Sequence, residues 1–232
     1  MADLVLFARC GTCRSLFIPL SLFLILPNGY RYVYWVARNI WAPFVLFGMG
    51  FWVKKTNSFP EEGKSFMMIA NHTSYIDVMV MLRLRKTPFV FVGKKELVKI
   101  PLFGYLFKRA AIMVDRSSSK SRFEVYGRAQ KVIAKGYSMC IFPEKEYIDE
   151  TIVLNPFKQG AFKLAIEHQL PILPMVFLDC KRKFPWYTTY GYPGALRVQA
   201  LPVIPTEGLT EAAILTLQET AHALIKQELL AD

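Results

Sequence analysis

Cysteine and histidine are both scarce in this chain, and each shortage excludes something. Four cysteines in 232 residues are too few to staple a domain of this length, so no disulfide framework is expected. Cys10 and Cys13 form a C-x-x-C pair, but no second pair or nearby histidine completes a zinc site, and no metal is expected. Cys140 and Cys180 sit in apolar contexts and read as core. That usage fits a reducing, cytoplasmic setting. Acidic residues are also few: 18 against 29 lysines and arginines, a net charge of +11. The surplus attracts something anionic, either nucleic acid or a lipid surface. Repeats, low-complexity tracts and long linkers are absent.

Apolar side chains, by contrast, are plentiful. Hydrophobic residues make up 53% and charged residues 20%, too oily for an ordinary soluble protein and too charged for a bundle that only spans membranes. The first oily run, Leu16 to Pro27, is shorter than the roughly 20 residues a helix needs to cross a bilayer. No small-residue cleavage site follows it, so it is no ordinary signal peptide. A second run, Tyr32 to Val53, is long enough, but Arg38 and Asn39 interrupt it and Pro43 predicts a kink. Trp35, Trp41 and Trp52 lie within it, and tryptophan favours the headgroup level of a bilayer. Arg9, Arg14, Arg31, Arg38, Lys54 and Lys55 punctuate the region against one acid, Asp3. A helical pair lying in one leaflet fits this pattern better than a clean crossing. A single span, and an amphipathic pair covering the domain's own core, stay open as alternatives. Residues 1–60 are therefore expected to form a membrane-associating helical segment ahead of a second domain over 61–232.

From about Lys64 the texture changes. Ser65–Ala70, Pro88–Gly93, Ala110–Asp115, Ser138–Pro143, Pro171–Phe177 and Ala195–Leu201 are short and near-continuously apolar, as buried strands are. Ser74–Arg85, Ser121–Lys135, Gly160–Gln169 and Thr210–Leu230 read as helices between or after them. The alternation predicts an α/β domain with a central, mostly parallel sheet flanked by helices.

One junction in this series carries chemistry. After the first of these strands come Asn71 and His72, then Thr73 and Ser74, either of which can cap the next helix. Asp77 lies about one and a third helical turns further on. Reactive groups gather at the carboxyl ends of parallel strands. There an aspartate on one ring nitrogen would fix the tautomer of His72 and leave the other nitrogen free to take a proton from a hydroxyl. A capping turn with a solvated histidine is the plain alternative. Ser74 is better explained as a cap than as a nucleophile.

Asn71 to Asp77 resembles the N-H-x-S-x-x-D box of the glycerolipid acyltransferases, and three further blocks follow in order. The second resembles the stretch holding Lys94, Pro101 and Gly104, then Val114-Asp115-Arg116. The third is Ile141 to Glu144, containing Phe142 and Pro143. The fourth is Leu170 to Pro174, containing Pro171 and Pro174. The match runs from about Lys64 to Leu201 and is most similar to bacterial 1-acyl-glycerol-3-phosphate acyltransferases. The resemblance implies His72 as general base and Asp77 as its orienting carboxylate. It implies Lys94 and Arg116 on the acceptor's phosphate and Glu144 on its glyceryl portion. It also implies acyl-CoA or acyl carrier protein as co-substrate, no cofactor, and a place at the membrane, on the cytoplasmic face of the bacterial inner membrane.

The third block departs from the family's F-P-E-G-T-R. Lys145 replaces the glycine and Tyr147 the arginine, with Glu146, Asp149 and Glu150 adding negative charge. Lys145, Lys94 and Arg116 together can still hold a phosphate, which keeps lysophosphatidate first. An amine-bearing lyso amino-acid lipid is the second reading. The basic segment Lys181 to Tyr187 reads as a contact for headgroups or coenzyme A phosphates, or as a plain surface loop. His168 and His222 carry no motif and read as structural. A nucleic-acid partner is not expected, because the cations are scattered and no such motif occurs. A catalytically silent lipid-binding relative is the rival of a different class.

Overall fold

In a strand, successive side chains point to opposite faces, so a fully apolar strand must be covered on both. Strand β2 (Met67–Ala70) meets that demand: Met67 and Ile69 join one apolar cluster, Met68 and Ala70 another, and none of the four is exposed. The computed structural model describes residues 29–94, 111–114, 119–144 and 151–232.

Seven strands form one sheet: β1 (Phe51–Lys55), β2, β3 (Phe89–Lys94), β4 (Ala111–Val114), β5 (Ser138–Ile141), β6 (Ile172–Phe177) and β7 (Gly194–Ala200). Their spatial order is β1-β7-β6-β2-β5-β3-β4. β6, β2, β5, β3 and β4 run parallel, β7 is antiparallel to β6, and β1 is parallel to β7. The expected parallel α/β sheet is therefore present. β1 adds a strand where the sequence pattern suggested more helix. Pro174 sits inside the buried β6, where a missing N–H is usually costly. Pairing with β7 begins only at Met175, opposite Ala200, so that ladder needs no donor from it.

One face of the sheet is covered by α1 (Gly29–Val36), α2 (Ala42–Gly48) and α3 (Asp77–Leu84). The other is covered by α4 (Ser119–Ile133), α5 (Gly160–Glu167) and α7 (Ile214–Ala231), while a short α6 (Cys180–Lys183) follows β6. Leu217, Ala221 and Ile225 form the buried stripe of α7 at a spacing of four residues. The kink expected at Pro43 takes the form of a π-helical turn, Ala37–Trp41, between α1 and α2. Proline offers no N–H to the preceding turn, and a π turn is one way a helix absorbs that loss.

The C-terminus of α3 is fastened to these first helices. The Arg85 carbonyl accepts from Tyr34 Oη at 2.9 Å and from Arg38 Nε at 2.7 Å. Lys55 Nζ reaches the Leu84 carbonyl at 2.6 Å, and Arg83 donates to the Arg38 carbonyl at 2.6 Å. The Arg85 guanidinium is itself buried and donates to the carbonyls of Pro60 and Glu61.

Candidate active site

The end of β2 is tied before the box begins. Asn71 is buried, and its amide exchanges two bonds with the backbone of Phe177 at the end of β6, at 3.0 and 2.8 Å. The side chain thus replaces a ladder rung just as the strands part. His72 follows, at the carboxyl edge of the sheet.

His72 Nδ1 lies 3.0 Å from Asp77 Oδ2; the aspartate side chain is fully buried, whereas the histidine side chain keeps 24% of its surface open. The same Oδ2 accepts the backbone N–H groups of Thr73 at 2.8 Å and Ser74 at 2.9 Å. A carboxylate only accepts, so Nδ1 carries the proton and, in the neutral ring, the lone pair lies on Nε2. The helix does not start at a Thr73 or Ser74 cap, as the sequence suggested. It starts at Asp77, after Ile76, with no side-chain cap. Asp77 reaches back to the N–H groups of Thr73 and Ser74, while Ser74 Oγ accepts the Ile76 N–H at 3.3 Å and donates to the Phe184 carbonyl.

Three side chains from distant parts of the chain hold His72. Phe142, just past β5, stacks on the imidazole with centroids 4.0 Å apart and planes 14° apart. Trp186 meets the ring edge-on at 4.6 Å and 78°. The Trp186 backbone N–H also donates to the Thr73 carbonyl at 3.2 Å, so the loop after α6 is laced to the box at two points. Glu144 supplies the third contact: its Oε1 accepts the His72 backbone N–H at 2.5 Å. Its Oε2 accepts the Asn155 backbone N–H and Nδ2, both at 3.1 Å. Burial pushes the Glu144 carboxyl above its ordinary range, with the bonds from His72 and Asn155 pulling the other way.

The structure thus brings Asn71, His72, Ser74, Asp77, Phe142 and Glu144 together. Pro143, in the same block, is buried and accepts the Lys158 N–H at 2.7 Å. Pro171 and Pro174 flank and enter β6, where their carbonyls accept from Met67 and Leu201. Lys94 closes β3 at the same carboxyl edge as His72, in register with Val114. Pro101, Gly104, Arg116 and Lys145 lie outside the described residues.

Glu144 is engaged by three donors of the chain itself, one on Oε1 and two on Oε2, which leaves Oε1 a lone pair for an acceptor hydroxyl. Trp186 and Asn155 had no sequence assignment. The aromatic pair in Lys181–Tyr187 was visible, yet nothing local linked it to a histidine more than a hundred residues earlier. His168 and His222 sit away from this cluster, beside Tyr126 and Phe157. Cys180 is fully buried, and desolvation pushes its thiol well up, so it is core, as expected. No group of three or more potential metal ligands occurs among the described residues.

Two residues beyond β6, Asp179 clamps β7. Its carboxylate accepts the Arg197 backbone N–H at 2.8 Å and the guanidinium at 2.9 Å, and Arg182 also pairs with it. Burial alone would raise its pKa; these donors outweigh burial and hold it at about 2.

The Acyltransferase family pattern matches residues 51–178. The 1-acyl-sn-glycerol-3-phosphate acyltransferase beta of Homo sapiens is 28% identical, over 94% of this chain and 79% of that protein. The 1-acyl-sn-glycerol-3-phosphate acyltransferase of Cocos nucifera is 32% identical over 70% of this chain, which spans 55% of its length. The crystal structure of the 1-acyl-sn-glycerophosphate acyltransferase from Thermotoga maritima superposes with a TM-score of 0.74, covering 99% of this chain and 92% of that one at 17% identity.

Proposed function

This chain belongs to the acyltransferase family, and from that premise we propose that it moves a fatty acyl group from acyl-CoA or acyl carrier protein to the free hydroxyl of 1-acyl-glycerol-3-phosphate, giving phosphatidate for phospholipid synthesis. The observation that carries the reading is the pairing of His72 Nδ1 with the buried Asp77, which leaves Nε2 free beside an open edge of the sheet.

The chemistry follows from that ring. His72 Nε2 takes the proton of the acceptor hydroxyl as its oxygen forms a bond to the thioester carbonyl carbon. The tetrahedral intermediate collapses, the carbon–sulfur bond breaks, and the imidazolium returns its proton to the thiolate. An ester and a free thiol result. Asp77 steadies the imidazolium while it exists, and general base catalysis of this kind supplies about 10²–10⁴-fold. Phe142 and Trp186 keep the ring in one plane, the pre-positioning that such transfers depend on. Glu144 holds the His72 backbone in place, and its remaining Oε1 lone pair is the candidate contact for the acceptor's glyceryl portion. Lys94, Arg116 and Lys145 are the candidates for the acceptor's phosphate.

Residues 1–60 dock this domain on a membrane, and residues 61–232 carry the chemistry. Tyr32, Trp35, Phe44, Phe47 and Trp52 are between 58% and 85% exposed on α1, α2 and β1. Large apolar side chains left open in one stretch of the chain fit burial in a leaflet. No described helix is long and apolar enough to cross a membrane. The cytoplasmic leaflet, where the thioester donors are made, is the side proposed.

The test is acyl transfer by purified enzyme with lysophosphatidate and with a lyso amino-acid lipid, for wild type and His72→Ala. Phosphatidate formation by wild type alone is expected. Acylation of the amino-acid lipid only would replace the acceptor, and transfer by His72→Ala at the wild-type rate would remove the base.

A further inference from the structure

The parallel strands have a second edge, and it carries a cavity of about 580 Å³. Lys86 precedes β3 and Lys135 precedes β5, so both lie at the amino-terminal ends of strands whose carboxyl ends face His72. Strands of this length separate the two edges by roughly 13–20 Å. Arg31, from the first turn of α1, completes a ring of three cations drawn from three separate parts of the chain.

Nothing described neutralises them. No side-chain hydrogen bond or ion pair of Arg31, Lys86 or Lys135 occurs among the described residues. The nearby acids are already engaged. Glu62 accepts the N–H groups of Lys86 and Thr87 and lies 3.5 Å from Arg85, while Glu61 pairs with Lys64. At the carboxyl end of α4 the carbonyls of Gln130, Val132 and Ile133 are taken up by the N–H groups of residues 134 to 137.

The site is an open depression with polar and apolar side chains together in its lining. Gly63 and Gly136 form part of the rim at φ of +93° and +72°, with nothing within 4 Å of where a Cβ would stand. Side chains are strained at such angles, and the mouth stays open. Tyr137 lines the inner wall and packs on Tyr30 at 5.7 Å. Tyr32 and Trp35 stand exposed further along the same helix as Arg31. If α1 lies in a leaflet, the cavity opens at the level where phosphates sit.

We propose that this cavity seats the phosphate of an anionic phospholipid headgroup, as a docking site separate from the catalytic edge. The proposal rests on the membrane-docking reading given above. Juxtamembrane cations contribute enough that losing two should weaken binding roughly thirtyfold.

The experiment compares full-length wild type, Lys86→Ala/Lys135→Ala and Arg128→Ala/Lys226→Ala. The last pair removes the same charge from exposed positions on the helices α4 and α7. Binding is measured by flotation with phosphatidylcholine vesicles, with and without phosphatidylglycerol, and binding of inorganic phosphate by calorimetry. The proposal expects the cavity pair to lose affinity for anionic vesicles, the control pair to stay within about threefold of wild type, and turnover of detergent-dispersed substrate to persist in both. Equal losses in the two pairs would mean diffuse charge and would overturn it. Loss of phosphate binding with vesicle binding intact would overturn it in favour of a soluble phosphate. Wild type that ignores all vesicles would remove the docking reading as well, whereas the first two failures leave that reading standing.

Discussion

Glu144→Gln is the substitution that separates holding His72 from holding an acceptor. Glutamine keeps the shape and one carbonyl oxygen. That oxygen can still accept the His72 N–H, as Oε1 does at 2.5 Å. The amide nitrogen must then face Asn155, whose backbone N–H and Nδ2 both point at Oε2 from 3.1 Å. Asn155 can turn its own amide, because its Oδ1 is buried without a partner. Its backbone N–H cannot turn. One buried N–H is left unpaired, at a cost of about 1–3 kcal/mol. Removing a buried charge works the other way, so the loss should fall near the lower bound. For a domain of this size that is a Tm drop of about 2–4 °C. A displacement of His72 by about 1 Å costs up to about 10²-fold in rate. Steady-state assays of thiol release should therefore show kcat down by about ten- to a hundredfold with the acceptor KM unchanged. Glu144→Ala, which frees the His72 N–H as well, should be worse on both counts. If instead Glu144→Gln raised the acceptor KM and left kcat and Tm alone, the positioning role would be wrong. The sign of the pH effect is also set. A carboxyl raised by burial adds stability below the unfolded glutamate pKa and loses that contribution as pH rises through its folded value. The stability advantage of wild type over Glu144→Gln should shrink across that window.

Other substitutions test neighbouring links. Trp186→Ala should cost about 3 kcal/mol, the low end for a tryptophan because the residue is only partly buried, and lower kcat, while Trp186→Phe restores most of both; melting curves and kcat check this. Asp77→Asn should lower kcat by about 10²–10⁴-fold with circular dichroism unchanged, since the buried site keeps its shape but loses the charge that steadies the imidazolium. Asp179, held at about 2, contributes stability above the unfolded aspartate pKa and loses it as pH falls toward 2. Arg197→Ala should flatten that loss in urea titrations run across the acid range. Phe44→Ser/Phe47→Ser should reduce vesicle flotation by more than tenfold and leave Tm within a degree or two, because both rings already face outward.

The parts of this molecule that could be read in advance are those governed by near neighbours. Strands β2 to β6 announce themselves as short apolar runs, the pattern of a sheet packed on both faces. His72 and Asp77 are five residues apart, so their pairing is a local event. β1 begins within the oily stretch from Tyr32 to Val53, and an apolar run alone does not distinguish a strand from a helix. Gly50, at φ +77°, marks the break, and Gly48 and Gly50 together were the available signal. Glu144 was visible through resemblance, but its partner is a backbone N–H seventy-two residues away, a contact no spacing rule encodes. Trp186 and Asn155 belong to the same class. Their roles arise when loops after β5 and β6 converge on one edge, which is a property of strand order rather than of any window of residues.

The Arg85 corner has a consequence for anyone who would treat the first helices as an interchangeable anchor. Tyr34 and Arg38 grip the carbonyl at one end of α3, and Asp77 begins the other. A foreign anchor grafted at residue 60 would leave that carbonyl ungripped and the rod free to roll. Chimeras between relatives should work only when the graft carries its own matching tyrosine and arginine, or when the junction is moved beyond residue 85.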